Sequence, residues 1–155
     1  MNKLDNISIV ITTLGGKDLN LSLSAIFNDL DVKSDFEILI IIPSQCQLPN
    51  TIIENKNIKI ISTYFPGQVN QRVIGFKNAS KDYVLQIDDD VEISSGNILS
   101  LKNKLKTLDD NSAISPIFFD RSNKKNCIYN LYNSNFLLIL KNILTFIICK
   151  SKWGI

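Results

Sequence analysis

Apolar residues along this chain gather in short unbroken runs separated by polar breaks. Ile7 to Thr13, ISIVITT, is β-branched and nearly all apolar. A run of that kind suits a central parallel strand covered on both faces. Leu14-Gly15-Gly16 breaks it, and Asp18 then offers a cap for a helix whose Leu19, Leu23, Ile26, Phe27 and Leu30 share one stripe. Glu37 to Ile42, EILIII, reads as a second buried strand stopped by Pro43, and Ile58 to Ser62 as a shorter third. Pro66-Gly67 opens a helix through Ala79, with Val69, Val73 and Phe76 at helical spacing. Tyr83 to Ile87, YVLQI, is a fourth strand. A helix near Asn97 to Leu108 turns Ile98, Leu101, Leu105 and Leu108 inward, and Ile114 to Phe119 reads as a further strand.

Strands alternating with helices in this order predict an α/β fold: a mostly parallel sheet in the middle of three layers. Such sheets bind ligands beyond the carboxyl ends of their strands. Two polar groups stand there, Thr12-Thr13-Leu14-Gly15 after the first strand and Asp88-Asp89-Asp90 after the fourth. Residues 1–122 form this domain. Residues 123–155 differ in character: SNKKN is a polar loop, and Phe136 to Cys149, FLLILKNILTFIIC, is the most apolar stretch. As a helix it has a broad apolar face followed by Lys150, Lys152 and Trp153, which suits an interfacial helix on an anionic membrane or a helix packed against further protein. No window has the roughly 18 uninterrupted apolar residues of a spanning helix, and the N-terminus lacks the pattern of a signal peptide. The expected location is cytoplasmic, with peripheral contact on the inner face of the membrane.

Composition narrows the chemistry. The 155 residues are one domain's worth, and the net charge of +2 gives no case for a nucleic-acid partner. There is no histidine, so acid/base or metal work falls on carboxylates. Cys46, Cys127 and Cys149 are widely spaced and odd in number, and reduced thiols are the simplest reading.

The stretch QIDDDVEI puts three like charges at the end of a buried strand. Repulsion and desolvation both oppose that, so either a cation sits there or the segment ends in water. Two carboxylates one residue apart suit a hard divalent ion, Mg²⁺ or Mn²⁺, that keeps positions open for phosphates. A solvated acidic turn is the alternative.

Taken in order, ISIVITTL, the helix residues QRVIG (Gln71 to Gly75) and YVLQIDDD resemble the nucleotide-sugar-binding half of family 2 glycosyltransferases. The match spans roughly Ile7 to Ile93. The resemblance implies a three-layer, Rossmann-like GT-A fold, here incomplete at the C-terminus. It implies transfer of a sugar from a nucleotide-diphospho-sugar donor to a glycan or lipid-linked acceptor in bacterial surface polysaccharide or glycolipid synthesis. Thr12, Thr13 and Leu14 match the loop that receives base and ribose. Arg72 matches the basic residue near the diphosphate. Asp88 and Asp90 match the acids around ribose and metal, with Asp90 and Asp88 both expected at Mn²⁺ or Mg²⁺, and Asp89 between them is expected to point away.

The chain also departs from the family. Ile11-Thr12-Thr13-Leu14-Gly15-Gly16 replaces the usual proline-containing loop. The second strand ends IIIPSQ without the acidic pair that reads the base; Ser44 or Gln45 is left for that role. The family's general base lies after an acceptor-side strand, and the chain ends at Ile155 before one is visible, so the expectation is a donor-binding half with the catalytic base unassigned. A non-catalytic nucleotide-binding fragment is the second reading. A nucleotidyltransferase is the third, with Leu14-Gly15-Gly16-Lys17 as a faint phosphate loop.

Overall fold

The structure is a computed structural model. It describes residues 6–16, 18–30, 35–50, 52, 55–91, 93–109 and 112–116, and the backbone of 119–120, 125–126 and 146–150. Four parallel strands dominate: β1 (Ile7–Thr12), β2 (Phe36–Pro43), β3 (Ile58–Thr63) and β4 (Tyr83–Asp88). Helices α1 (Leu19–Asp29), α2 (Gln68–Asn78) and α3 (Asn97–Lys106) flank them.

The sheet order begins β3-β2-β1-β4. The chain steps outward from β1 to β2 to β3, then returns through α2 to pair β4 on the other side of β1. The order therefore reverses between β1 and β4, which makes that crevice the ligand position of an open α/β sheet.

Every residue of β1 is buried, Ser8 and Thr12 included, as a nearly all-apolar run covered on both faces requires. Ile7, Ile9 and Ile11 pack with Leu19, Leu23 and Ile26 of α1 and Ile98 and Leu105 of α3. Val10 faces the opposite layer, with Leu39, Ile41, Val84 and, from α2, Ile74 and Phe76. Each fully buried aliphatic side chain contributes about 1.5–3 kcal/mol by leaving water.

Four expectations differ from the structure. Asp18 has a helical backbone (φ −79°, ψ −12°) and its side chain makes no capping bond. A cap needs an extended backbone to reach the next N–H groups; here the Asp18 carbonyl accepts from Leu21 and Ser22 instead. In α2 the buried residues are Gln71 and Gly75, whereas Val69 is 71% and Val73 43% exposed. The strand expected over Ile114 to Phe119 is two separate pieces, β5 (Ala113–Ile114) and β6 (Phe119–Asp120), the latter paired with β7 (Lys125–Asn126). Pro116 lies between them and lacks the N–H a continuous ladder needs.

The fourth difference is at the C-terminus. Phe146–Lys150, the end of the expected apolar helix, is a strand, β8, antiparallel to β4 and to β5. The open edge of β4 offers unpaired backbone groups, and the aromatic and β-branched run Phe146-Ile147-Ile148 suits a strand. The six-stranded sheet therefore draws a strand from beyond residue 123. The rest of the expected helix, 136–145, lies outside the described residues. No described helix is long and apolar enough to cross a membrane.

Candidate functional site

Parallel register sets Thr12 opposite Asp88 at the carboxyl ends of β1 and β4. Thr12 Oγ1 donates to Asp88 Oδ1 at 3.0 Å. Gln86, two residues back on the same strand face, donates from Nε2 to the same oxygen at 3.0 Å. Arg72, near the start of α2, donates from Nη2 to Asp88 Oδ1 at 2.9 Å and Oδ2 at 3.0 Å. Asp88 is 5% exposed, so an unpaired charge there would be costly, and the guanidinium supplies the opposite charge. Arg72 Nε is buried and has no hydrogen-bond partner among the described residues.

The three aspartates separate in role because the strand stops at Asp88 and its side-chain alternation stops with it. Asp89 lies in the turn and does not point away. Its Oδ2 accepts from the Thr13 hydroxyl, which itself accepts from Gly15 N at 2.9 Å. Ser22 Oγ of α1 donates to the carbonyls of Asp89 and Val91, both at 3.1 Å, and so ties the turn to α1. Asp90 is exposed. Together with Asp89 it lines a cleft of about 520 Å³ whose other wall is α1, through Asp18, Ser22, Ala25 and Asn28.

The loop after β1 has no room for ordinary residues. Gly15 has φ +92°, and a Cβ there would lie 2.1 Å from the Gln47 carbonyl oxygen. A Cβ on Gly16 would lie 3.2 Å from Asp89 Oδ2. The glycines let this loop pass between the loop after β2 and the aspartate turn. Leu14, carried at the loop's tip, is 64% exposed. Ser44 and Gln45 lie exposed just beyond β2, where Ser44 N donates to Thr63 O at 2.8 Å.

The structure thus brings Thr12, Thr13, Arg72 and Asp88 together, with Asp90 beside them facing solvent and Leu14 at the rim. Both oxygens of Asp88 are engaged by protein donors, and Asp90 is the carboxylate with room for a hard cation. Among the described residues no three acidic or sulfur side chains converge as a ready metal cage. A hard ion held by one or two carboxylates, with phosphates and water completing its shell, is nonetheless usual for Mg²⁺-type sites. Sequence reasoning missed Gln71, Gln86 and the inward turn of Asp89. Gln86 alone carried a usable signal: a polar residue on the same strand face as Asp88, inside an otherwise apolar strand.

The fold defines a class, a GT-A type Rossmann-like domain, and the candidate crevice lies where its strand order reverses. The chain belongs to the family described as Glycosyl transferase family 2, which matches residues 8–153. Solved structures of TarS from S. aureus share the fold. TarS 1–349 is 17% identical, with a TM-score of 0.52, over 65% of this chain and 33% of that one. TarS 1–349 in complex with UDP-GlcNAc is 16% identical, with a TM-score of 0.50, over 65% and 32%. A longer TarS structure is 17% identical, with a TM-score of 0.51, over 65% and 20%. The chain therefore spans a third or less of these proteins' lengths. No curated protein is similar enough to this chain to count as a relative.

Proposed function

We propose that this chain binds a nucleotide-diphospho-sugar at the β1–β4 crevice as the donor half of a glycosyltransferase. The observation that carries the reading is the part-buried Arg72–Asp88 pair at the switch point, with the exposed carboxylate of Asp90 beside it. In this reading Thr12, Thr13 and Leu14 form the floor and rim against which base and ribose lie. Asp88 holds Arg72 in place, and a small rotation of the guanidinium offers its unused Nε–H to a phosphate oxygen. Asp90 holds Mn²⁺ or Mg²⁺, whose charge would stabilise the diphosphate leaving group. TarS, solved with UDP-GlcNAc, makes a uridine nucleotide the first donor to test.

The acceptor is proposed to be a glycan or lipid-linked sugar of the bacterial surface, reached by peripheral contact with the cytoplasmic membrane. The nucleotidyltransferase reading is disfavoured by local charge. The Gly15-Gly16 loop lies against the Asp89 carboxylate, which would repel a triphosphate at that loop.

Calorimetric titration of UDP into the full chain, with and without Mn²⁺, tests the donor site. Metal-dependent binding that disappears in Asp90→Ala is the expected result. A folded chain that binds neither UDP nor other nucleoside diphosphates would end the proposal.

A further inference from the structure

The inward face of α2 is polar where a packing helix is normally apolar. Gln71 is 1% exposed and lies between helix and sheet. Its Nε2 donates to Thr13 O at 3.0 Å and to Ile41 O at 2.8 Å. A carboxamide nitrogen has two protons, and here they meet two carbonyls one to one. Those carbonyls lie at the carboxyl ends of β1 and β2, beside the Thr13 N to Ile41 O bond of 3.1 Å. One turn on, a Cβ at Gly75 would lie 2.2 Å from Val10 Cγ1, so α2 rests directly on β1. Gly75 sets the height of the helix, and Gln71 sets its rotation. Arg72 follows Gln71, about 100° further around the helix. That step turns it from the β1–β2 seam toward Asp88.

We infer that Gln71 is a positioning residue: its clasp on the ends of β1 and β2 fixes the rotation of α2, and thereby holds Arg72 over Asp88. This rests on the donor-site reading for its consequence in binding, though not for its geometry. A Met at this position has similar length and no donor. It would take the side-chain donor from both carbonyls, leaving Ile41 O with only the Thr13 N–H, and free the helix to turn. An ionised Glu would present acceptor to acceptor.

The test uses Gln71→Met in the full chain with two readouts. The first needs no ligand: ¹⁵N spectra of the Arg72 guanidinium. Pairing with Asp88 slows proton exchange in the unsubstituted chain, and Gln71→Met is expected to speed it severalfold at a temperature where both chains are folded. The second is UDP titration with Mn²⁺ in a double-mutant cycle. Gln71→Met is expected to weaken binding about tenfold when Arg72 is present and to add nothing in an Arg72→Ala background. Unchanged guanidinium exchange would overturn the inference, as would equal losses in both backgrounds. If the unsubstituted chain binds no nucleoside diphosphate, the donor reading fails and the exchange measurement alone decides. If Gln71→Met does not fold, Gln71→Glu is read in its place by the same two measurements.

Discussion

The two ends of the sheet each hold a carboxylate, in different ways. At the amino ends, Glu37 of β2 accepts from Ser8 Oγ of β1 at 2.6 Å, from Ser80 N at 2.7 Å and from Ser80 Oγ at 2.8 Å. Burial pushes this carboxyl up, but those hydrogen bonds and the charge of Lys81 outweigh it and hold its pKa below the ordinary value. At the carboxyl ends, Asp88 is held by Thr12, Gln86 and a guanidinium. The amino-end cluster is closed: serine hydroxyls and backbone N–H groups bridge β1, β2 and the turn before β4. The carboxyl-end cluster brings in a full positive charge from a third layer, leaves Arg72 Nε unused, and sets exposed Asp90 beside it. One end fastens strands, whereas the other keeps an unused guanidinium N–H and an exposed carboxylate, which suits an anionic ligand that arrives with a cation.

Removing the charge at the carboxyl end is the strongest way to break this contrast. Asp88→Ala leaves Arg72 without its counter-charge in a largely buried place, and should cost about 3 kcal/mol in denaturant unfolding while abolishing UDP binding. A chain of near-normal stability would show that Arg72 reaches solvent unaided. A smaller effect tests how the ends are joined. Arg72 lies in the first turns of α2 and Ser80 lies just past its end, so the helix spans both clusters. Gly75→Ala drives a methyl into Val10 and should cost about 2 kcal/mol. It should also weaken UDP binding, although Gly75 is remote from any ligand, and stability loss without a binding loss would separate the two ends.

The mildest change is at the amino end. Glu37→Gln removes a charged acceptor from a part-buried cluster and should cost about 1 kcal/mol with UDP affinity unchanged. The sign of its pH dependence follows from the lowered pKa. The contribution of Glu37 is complete above its unfolded value of 4.5 and fades as pH falls through the lower folded value. Unfolding curves of the two chains should therefore converge below pH 4.5 and differ most near neutrality. A gap that widens in acid would contradict the Ser8–Ser80 clasp.

Much of the fold was legible because buried parallel strands leave a plain mark. Runs such as ISIVIT and EILIII can be apolar on both faces only where helices cover both sides. The α1 stripe was legible for the same reason, with Leu19, Leu23 and Ile26 all buried. Part of the candidate site's placement was legible too, since acids at the end of such a strand demand a partner. The face of α2 was not. Hydropathy points to Val69 and Val73, but the helix instead settles where Gly75 allows the closest approach and Gln71 meets two carbonyls. The pairing of β8 with β4 was equally hidden, because an apolar run supports helix or strand until an open sheet edge selects one.

The sequence by itself determined the buried strands, their order along the chain, and the placing of Asp88 to Asp90 at a strand end. Local pattern encodes these, through apolar periodicity and polar breaks. Only the tertiary structure decided which aspartate is neutralised, which is bonded to a neighbouring loop, and which stays exposed. That division depends on Arg72 and Thr13 arriving from 16 and 76 residues away in sequence. Their arrival is set by sheet order and by the close seating of α2, which no local stretch specifies.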